Sequence, residues 1–290
     1  MIAHPIPQAV DFILVGGGKA GCLLANRLAE GSEASFLVLE SGKDLTDEPW
    51  ITDLNALRGQ FKSEELTWQL DSVSQEYGET AFKRDNVSLV TEATATKILL
   101  NPLEPGPLTA TGVEVSFNGK THSIAARKEV IISAGTFHTP KLLELSGIGG
   151  RSLLDSLEIP VVIESPGVGQ NVQNHLMSVV SFELNEGIAI GEGGQTISLL
   201  ALPDRQQQQD LFNEHEPVEP ESKVSYEIVR KIFADKTEAS ASFLLAFMGM
   251  PNFATLVLMQ TLPISRESCH IHSKDTNQSP RIDPNFFSNP

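Results

Sequence analysis

Gly16, Gly18 and Gly21 stand in GxGxxG spacing directly after the apolar run at 11–15, and Glu40 follows at the end of a second apolar run. Residue types in that pattern suit one chemistry, the binding of a dinucleotide. Gly16 permits a tight turn out of a strand, Gly18 lets backbone amides approach a pyrophosphate, and Gly21 lets the following helix pack on the sheet. The helix N-terminus then faces the phosphate charge. Glu40, about twenty residues further on, is placed to accept hydrogen bonds from an adenosine ribose. Its carboxylate repels a 2′-phosphate, which disfavours NADP and leaves FAD and NAD both open.

The elements that must position these residues form a strand, a turn, a helix over 22–29 and a second strand over 35–40. This is a βαβ unit with a parallel sheet. Strand-like segments recur at 87–90, 96–100, 112–117 and 122–126, with Asn118-Gly119 as a hairpin turn, and read as a small antiparallel insert. Another buried strand at 130–133 leads through Ala134-Gly135 into a helix over 140–145 closed by Gly147. The stretch 206–221, with three glutamines in a row and prolines at 217 and 220, reads as a loop, and 240–273 as strands of a second layer. The expected fold is α/β. A Rossmann-like nucleotide domain over 1–178, with its insert near 87–126, is followed by a mostly antiparallel, incomplete α+β substrate domain over 179–290.

Composition narrows the partners. A formal net charge of −16 in 290 residues repels phosphate backbones and anionic headgroups, so nucleic acid and membrane surfaces are excluded in favour of a small molecule. No signal peptide or membrane span is read, and a cytoplasmic location is the expectation. The oligomeric state is left open. Cys22 and Cys269 offer neither a disulfide framework nor a CxxC pair, and Cys22 reads as small helix core. His270 and His272 share a strand face, but two ligands without a third make no metal site, and none is assigned. His138 reads as a surface or packing residue, and the sequons at Asn86 and Asn277 as coincidental.

Longer stretches carry a family resemblance. DFILVGGGKAGCLLANRLAEGSEASFLVLESG (11–42) resembles the opening FAD-binding segment of the glucose-methanol-choline (GMC) oxidoreductases, flavoenzymes that oxidise alcohols. GTFHTPKLLELSGIG (135–149) is similar to the family's second signature. SPGVGQNVQNHL (165–176) resembles the segment after it, with Asn174 where an aspartate is usual, and SPRIDPNFFSNP (279–290) the link before the last flavin-proximal region. NVSLVTEATATKIL (86–99) resembles the strand that holds the adenine through its backbone, which implies that contact for Ala95. The resemblance implies FAD as cofactor and an alcohol as substrate. It also implies hydride transfer from a CH-OH carbon to flavin N5 while a histidine takes the proton.

The family's first signature, expected soon after Trp68 and Gln75, is missing around 78–81, as is the C-terminal block that supplies the active-site histidine and its partner. None of the seven histidines matches that motif, so no catalytic residue is assigned. His175 matches a family histidine outside the acid-base pair. Two other readings stand beside the enzyme: an inactive relative that keeps the ADP-site residues, and an NAD-dependent dehydrogenase, which the second signature opposes.

Overall fold

A computed structural model of the chain describes residues 6–44, 81–102, 107–185, 195–200, 205–214, 220–235, 238–239, 241–246 and 253–286. The expectations attached to Trp68, Gln75 and Gly78 lie outside the described residues. Two compact units emerge: residues up to Gln170 together with Cys269–Ile282, and residues Asn171–Ser268 with those from Asp283.

The first unit is built on a six-stranded sheet. β2 (Phe36–Leu39) buries every side chain and β1 (Ala9–Val15) buries Val10 and Ile13–Val15, the mark of parallel strands covered on both faces. They pair in parallel, Phe12 opposite Phe36 and Val15 opposite Leu39. β3 (Val87–Val90) extends the sheet in parallel beside β2. That differs from the antiparallel insert expected of 87–90, because a four-residue apolar run carries no information about its partner's direction.

β4 (Thr94–Pro102), β5 (Leu108–Phe117) and β6 (Lys120–Ile132) form an antiparallel meander. The turn at Asn118 (φ 50°) and Gly119 (φ 70°) is the left-handed pair that an Asn-Gly hairpin needs. The strands expected at 122–126 and 130–133 are one strand, β6. Its first half pairs with β5 in antiparallel fashion and its second half with β1 in parallel. The sheet order is β3-β2-β1-β6-β5-β4, so the insert is continuous with the parallel sheet.

α1 (Lys19–Ala29) packs its small residues Gly21, Cys22, Ala25 and Ala29 inward, which brings its axis close to the strands. Asn86 clamps the helix exit: its amide donates to the carbonyls of Ala29, Ser32 and Ala34, and is thereby committed to the fold. At the far end of the sheet Asp11 accepts from the Ser35 amide and hydroxyl and from Arg127, tying β1, β2 and β6 together.

α2 (Gly135–Leu145) begins five residues earlier than expected and contains Pro140 in its interior. Proline has no N–H, so the Thr136 carbonyl loses its helical donor. The helix closes as expected at Gly147 (φ +82°), whose amide donates to the Glu144 carbonyl. α3 (Arg151–Ser156) and the short parallel pair β7 (Ile148–Gly149) and β8 (Ile163–Glu164) follow.

The second unit holds a four-stranded antiparallel sheet in the order β10-β11-β12-β9, made from β9 (Met177–Glu183), β10 (Gln195–Leu200), β11 (Ala241–Ala246) and β12 (Phe253–Gln260). The expected loop over 206–221 is instead mostly helical: α4 (Arg205–Glu214) precedes α5 (Pro220–Ala234). Glutamine is a good helix former, and one buried aromatic anchors the polar stretch. Phe212 packs on Tyr226 and Phe233, and the Tyr226 hydroxyl donates to the Phe212 carbonyl at 2.8 Å. Two further short strands, β13 (Ser268–His270) and β14 (Arg281–Asp283), pair with each other, and all their residues but Ser268 and Asp283 belong to the first unit. No described helix is long and apolar enough to cross a membrane.

Candidate functional site

At the C-terminal ends of β1 and β2 the chain makes the glycine turn. Gly16 has φ +103°, and a Cβ there would sit 2.4 Å from the Ser133 carbonyl oxygen. A Cβ on Gly21 would sit 1.9 Å from the Gly16 carbonyl oxygen, so helix and turn touch backbone to backbone. Gly18 is the N-cap of α1 in extended conformation and makes no side-chain cap. The first-turn amides of α1 are consequently available to an external acceptor.

Glu40 braces this turn. Its Oε2 accepts the Gly17 amide at 2.7 Å and its Oε1 the Gly42 amide at 2.8 Å. A carboxylate has about four lone-pair sites, so each oxygen keeps capacity for a hydroxyl. Glu40 is in turn fixed through its backbone, donating to Val90 and accepting from Ala93. The Cys22 thiol donates to the Gly17 carbonyl at 2.9 Å. Burial, then the Glu40 charge, pushes that thiol's pKa up, which keeps it protonated and supports the small-core reading.

Gly16, Gly18, Glu40 and Ala95 line a single cavity of about 540 Å³, while Gly21 lies beneath it in the helix-turn contact. Ala95 is on β4, held near the turn where the Ala93 amide donates to the Glu40 carbonyl at 2.9 Å. The volume falls within the range of small-ligand sites, and a fixed turn, available helix amides and a carboxylate are the groups that dinucleotide binding calls for.

Other residues of the site escape sequence reading. Ser133, at the end of β6, donates its hydroxyl to the carbonyls of Val15 at 3.1 Å and Gly16 at 3.0 Å, and its amide to Val15 at 2.7 Å. It latches the glycine turn to the neighbouring strand. Only its place just before Gly135 hints at this. His138, expected at the surface or in packing, is half-buried and lines the cavity. Burial, with a smaller contribution from Lys141, lowers its ring pKa, so it is neutral at physiological pH. Lys141 lines the cavity at 6% exposure, its pKa lowered by burial and partly restored by Asp275.

The remaining sequence candidates lie elsewhere. His270 Nδ1 sits 2.6 Å from Glu144 Oε1, and its Nε2 2.8 Å from the Gln170 amide. Both ring nitrogens are thus engaged with Glu144 and Gln170. His175, in the second unit, contacts the Gln260 carbonyl at 2.7 Å.

Comparison with known proteins adds a family assignment. A family model described as GMC oxidoreductase matches residues 64–177. The GMC oxidoreductase family protein Mala s 12 of Malassezia sympodialis is 30% identical over 254 residues, covering 78% of this chain and 41% of that protein. Oxidoreductase cicC of Emericella nidulans is 32% identical over 209 residues, covering 62% and 34%. The chain thus spans well under half the length of these curated relatives. Among solved structures, a fungal aryl-alcohol oxidase superposes with a TM-score of 0.75 at 16% identity, over 98% of this chain and 80% of that one. A formate oxidase does so with a TM-score of 0.71 at 18% identity, over 97% and 78%. At such identities the likeness is one of fold.

Proposed function

Because the chain belongs to the GMC oxidoreductase family, we propose that the cavity of its first unit binds the ADP half of FAD and that the protein serves the oxidation of an alcohol CH-OH group. The observation that carries this reading is the convergence of Gly16, Gly18, Glu40 and Ala95 on one cavity, with the Glu40 carboxylate already holding the glycine turn. The family makes FAD, rather than NAD, the dinucleotide. Bound FAD would supply the redox chemistry, accepting hydride from the alcohol carbon at flavin N5.

Each residue has a defined task in this reading. The amides at the start of α1 face the pyrophosphate, and the helix dipole favours its charge. Gly16 and Gly21 keep Cβ atoms out of a turn that has no room for them. Glu40 accepts the ribose hydroxyls on the lone pairs its two amide bonds leave over. Ala95 offers its backbone to the adenine edge. The cofactor role is assigned to residues 1–178 and the substrate role to 179–290, although 171–178 fall in the second unit and Cys269–Ile282 in the first.

One observation favours a second reading, nucleotide binding without turnover. Among the described residues, the histidine that lines the cavity is His138, which sits beside the nucleotide turn, where a base for an alcohol proton has no substrate to serve.

The visible absorption spectrum of the purified chain, before and after adding FAD and gel filtration, tests the proposal. A flavin spectrum that travels with monodisperse protein and bleaches anaerobically with an alcohol supports the oxidoreductase. Bound flavin that no alcohol bleaches selects the second reading, and protein that gains no flavin sinks both.

A further inference from the structure

Two buried charged residues on one face of α2, Lys141 and Glu144, are three positions apart and reach the same distant segment. Glu144, at 0% exposure, meets the His270 Nδ1 on Oε1 at 2.6 Å and accepts the Ile271 amide on Oε2 at 2.9 Å. Lys141 donates from Nζ to the Thr276 backbone carbonyl at 2.7 Å. The segment Cys269–Ile282 thus hangs from two side chains of one helix, and its first residue is fixed again where the Cys269 amide donates to the Gly169 carbonyl at 2.7 Å. Thr276 lies on the cavity wall beside Lys141.

We propose that Lys141 is a positioning residue that holds Cys269–Ile282 as a strap along the nucleotide cavity, and that this strap sets how long the dinucleotide stays bound. The inference rests on the FAD reading above. Taking an ammonium out of water for a bond to a carbonyl is costly, and a methionine of similar length fills the same space without that cost. The amine is accordingly not there for packing. What it achieves is to fix the position of Thr276, with the Asp275 charge next door offsetting part of the desolvation. Glu144 secures the beginning of the segment, while Lys141 secures the part that meets the cavity. A wall ordered before binding lowers the entropy that the ligand must give up, and such effects are read mainly in dissociation rates.

The test uses the full chain loaded with FAD, as wild type, Lys141→Met and Lys141→Arg. Flavin release is followed after dilution, and hydrogen exchange is followed across 273–279. Lys141→Met is expected to release FAD about tenfold faster, as expected for loss of a charge-assisted hydrogen bond. Exchange across 273–279 should rise, the thermal midpoint of the FAD-free chain should hold or increase, and Lys141→Arg should restore slow release. Wild-type release rates in Lys141→Met despite faster exchange overturn the strap and leave the FAD reading intact, as does unchanged exchange. Should Lys141→Met fail to fold, Lys141→Gln makes the same comparison. A wild-type chain that takes up no FAD removes the FAD reading and the strap with it.

Discussion

Glu40 Oε2 accepts the Gly17 amide at 2.7 Å, so the carboxylate proposed to bind a ribose also braces the glycine turn proposed to face the pyrophosphate. Glu40→Gln keeps an acceptor oxygen but loses the charge. It is expected to weaken FAD binding by about tenfold with a modest loss of stability, since hydrogen bonds to charged groups are worth ~1.5–3 kcal/mol. Glu40→Ala leaves the Gly17 and Gly42 amides without their acceptor and should lower both affinity and stability. Fluorescence titration with FAD beside thermal melts separates the two effects.

Gly21→Ala places a methyl 1.9 Å from the Gly16 carbonyl oxygen, backbone that cannot yield cheaply. A loss of about 3 kcal/mol is expected, at the top of the range for overpacking. Gly31, with φ +64° and open space around it, is the control: Gly31→Ala should cost ~1 kcal/mol from backbone conformation alone. Urea midpoints of the two variants check the ranking.

Arg127 and Ser35 hold the Asp11 carboxyl well below the usual carboxylate range. A depressed carboxylate contributes stability that is present above its unfolded pKa, here 3.8, and is lost as pH falls through the folded value. The wild type is expected to lose stability below about pH 4, and Asp11→Asn to show a shallower acid slope. Urea midpoints measured from neutral pH downward give both curves.

Cys269 is fully buried and its thiol is pushed up to about 11 by burial, then by the Glu144 charge, while Cys22 is 2% exposed. Neither thiol is expected to react with a thiol reagent at neutral pH in the folded chain, and both should react in urea. Mass spectrometry of the labelled protein counts them. Fast native labelling of Cys22 would overturn the packing described for the glycine turn.

The parts legible in sequence are those whose physics is local. The GxGxxG turn, the Asn118-Gly119 hairpin and the Gly147 helix end each depend on one or two residues at positive φ within a short stretch, and each stands where expected. Ser133 and Lys141 were invisible because their partners lie 118 and 135 residues away, and no local pattern encodes such pairs. The pattern at 87–90 marks a strand but not a parallel neighbour of β2, since direction is decided by topology. The glutamine-rich stretch differs from its expectation for the opposite reason. Its composition suggests a loop, and one buried phenylalanine with a facing tyrosine is enough to dock it as a helix.

β6 has a kinetic meaning. Its pairing with β5 closes over a two-residue turn, while its pairing with β1 joins chain positions more than a hundred residues apart. Loop-closure entropy orders these events, so the β4-β5-β6 meander forms early and presents its free edge as a template for β1. The Ser133 bonds to Val15 and Gly16 can form only after β1 has docked. The glycine turn is thus among the last parts of the sheet to be completed, and a ligand bound there rewards the final closure while leaving the early steps of folding untouched.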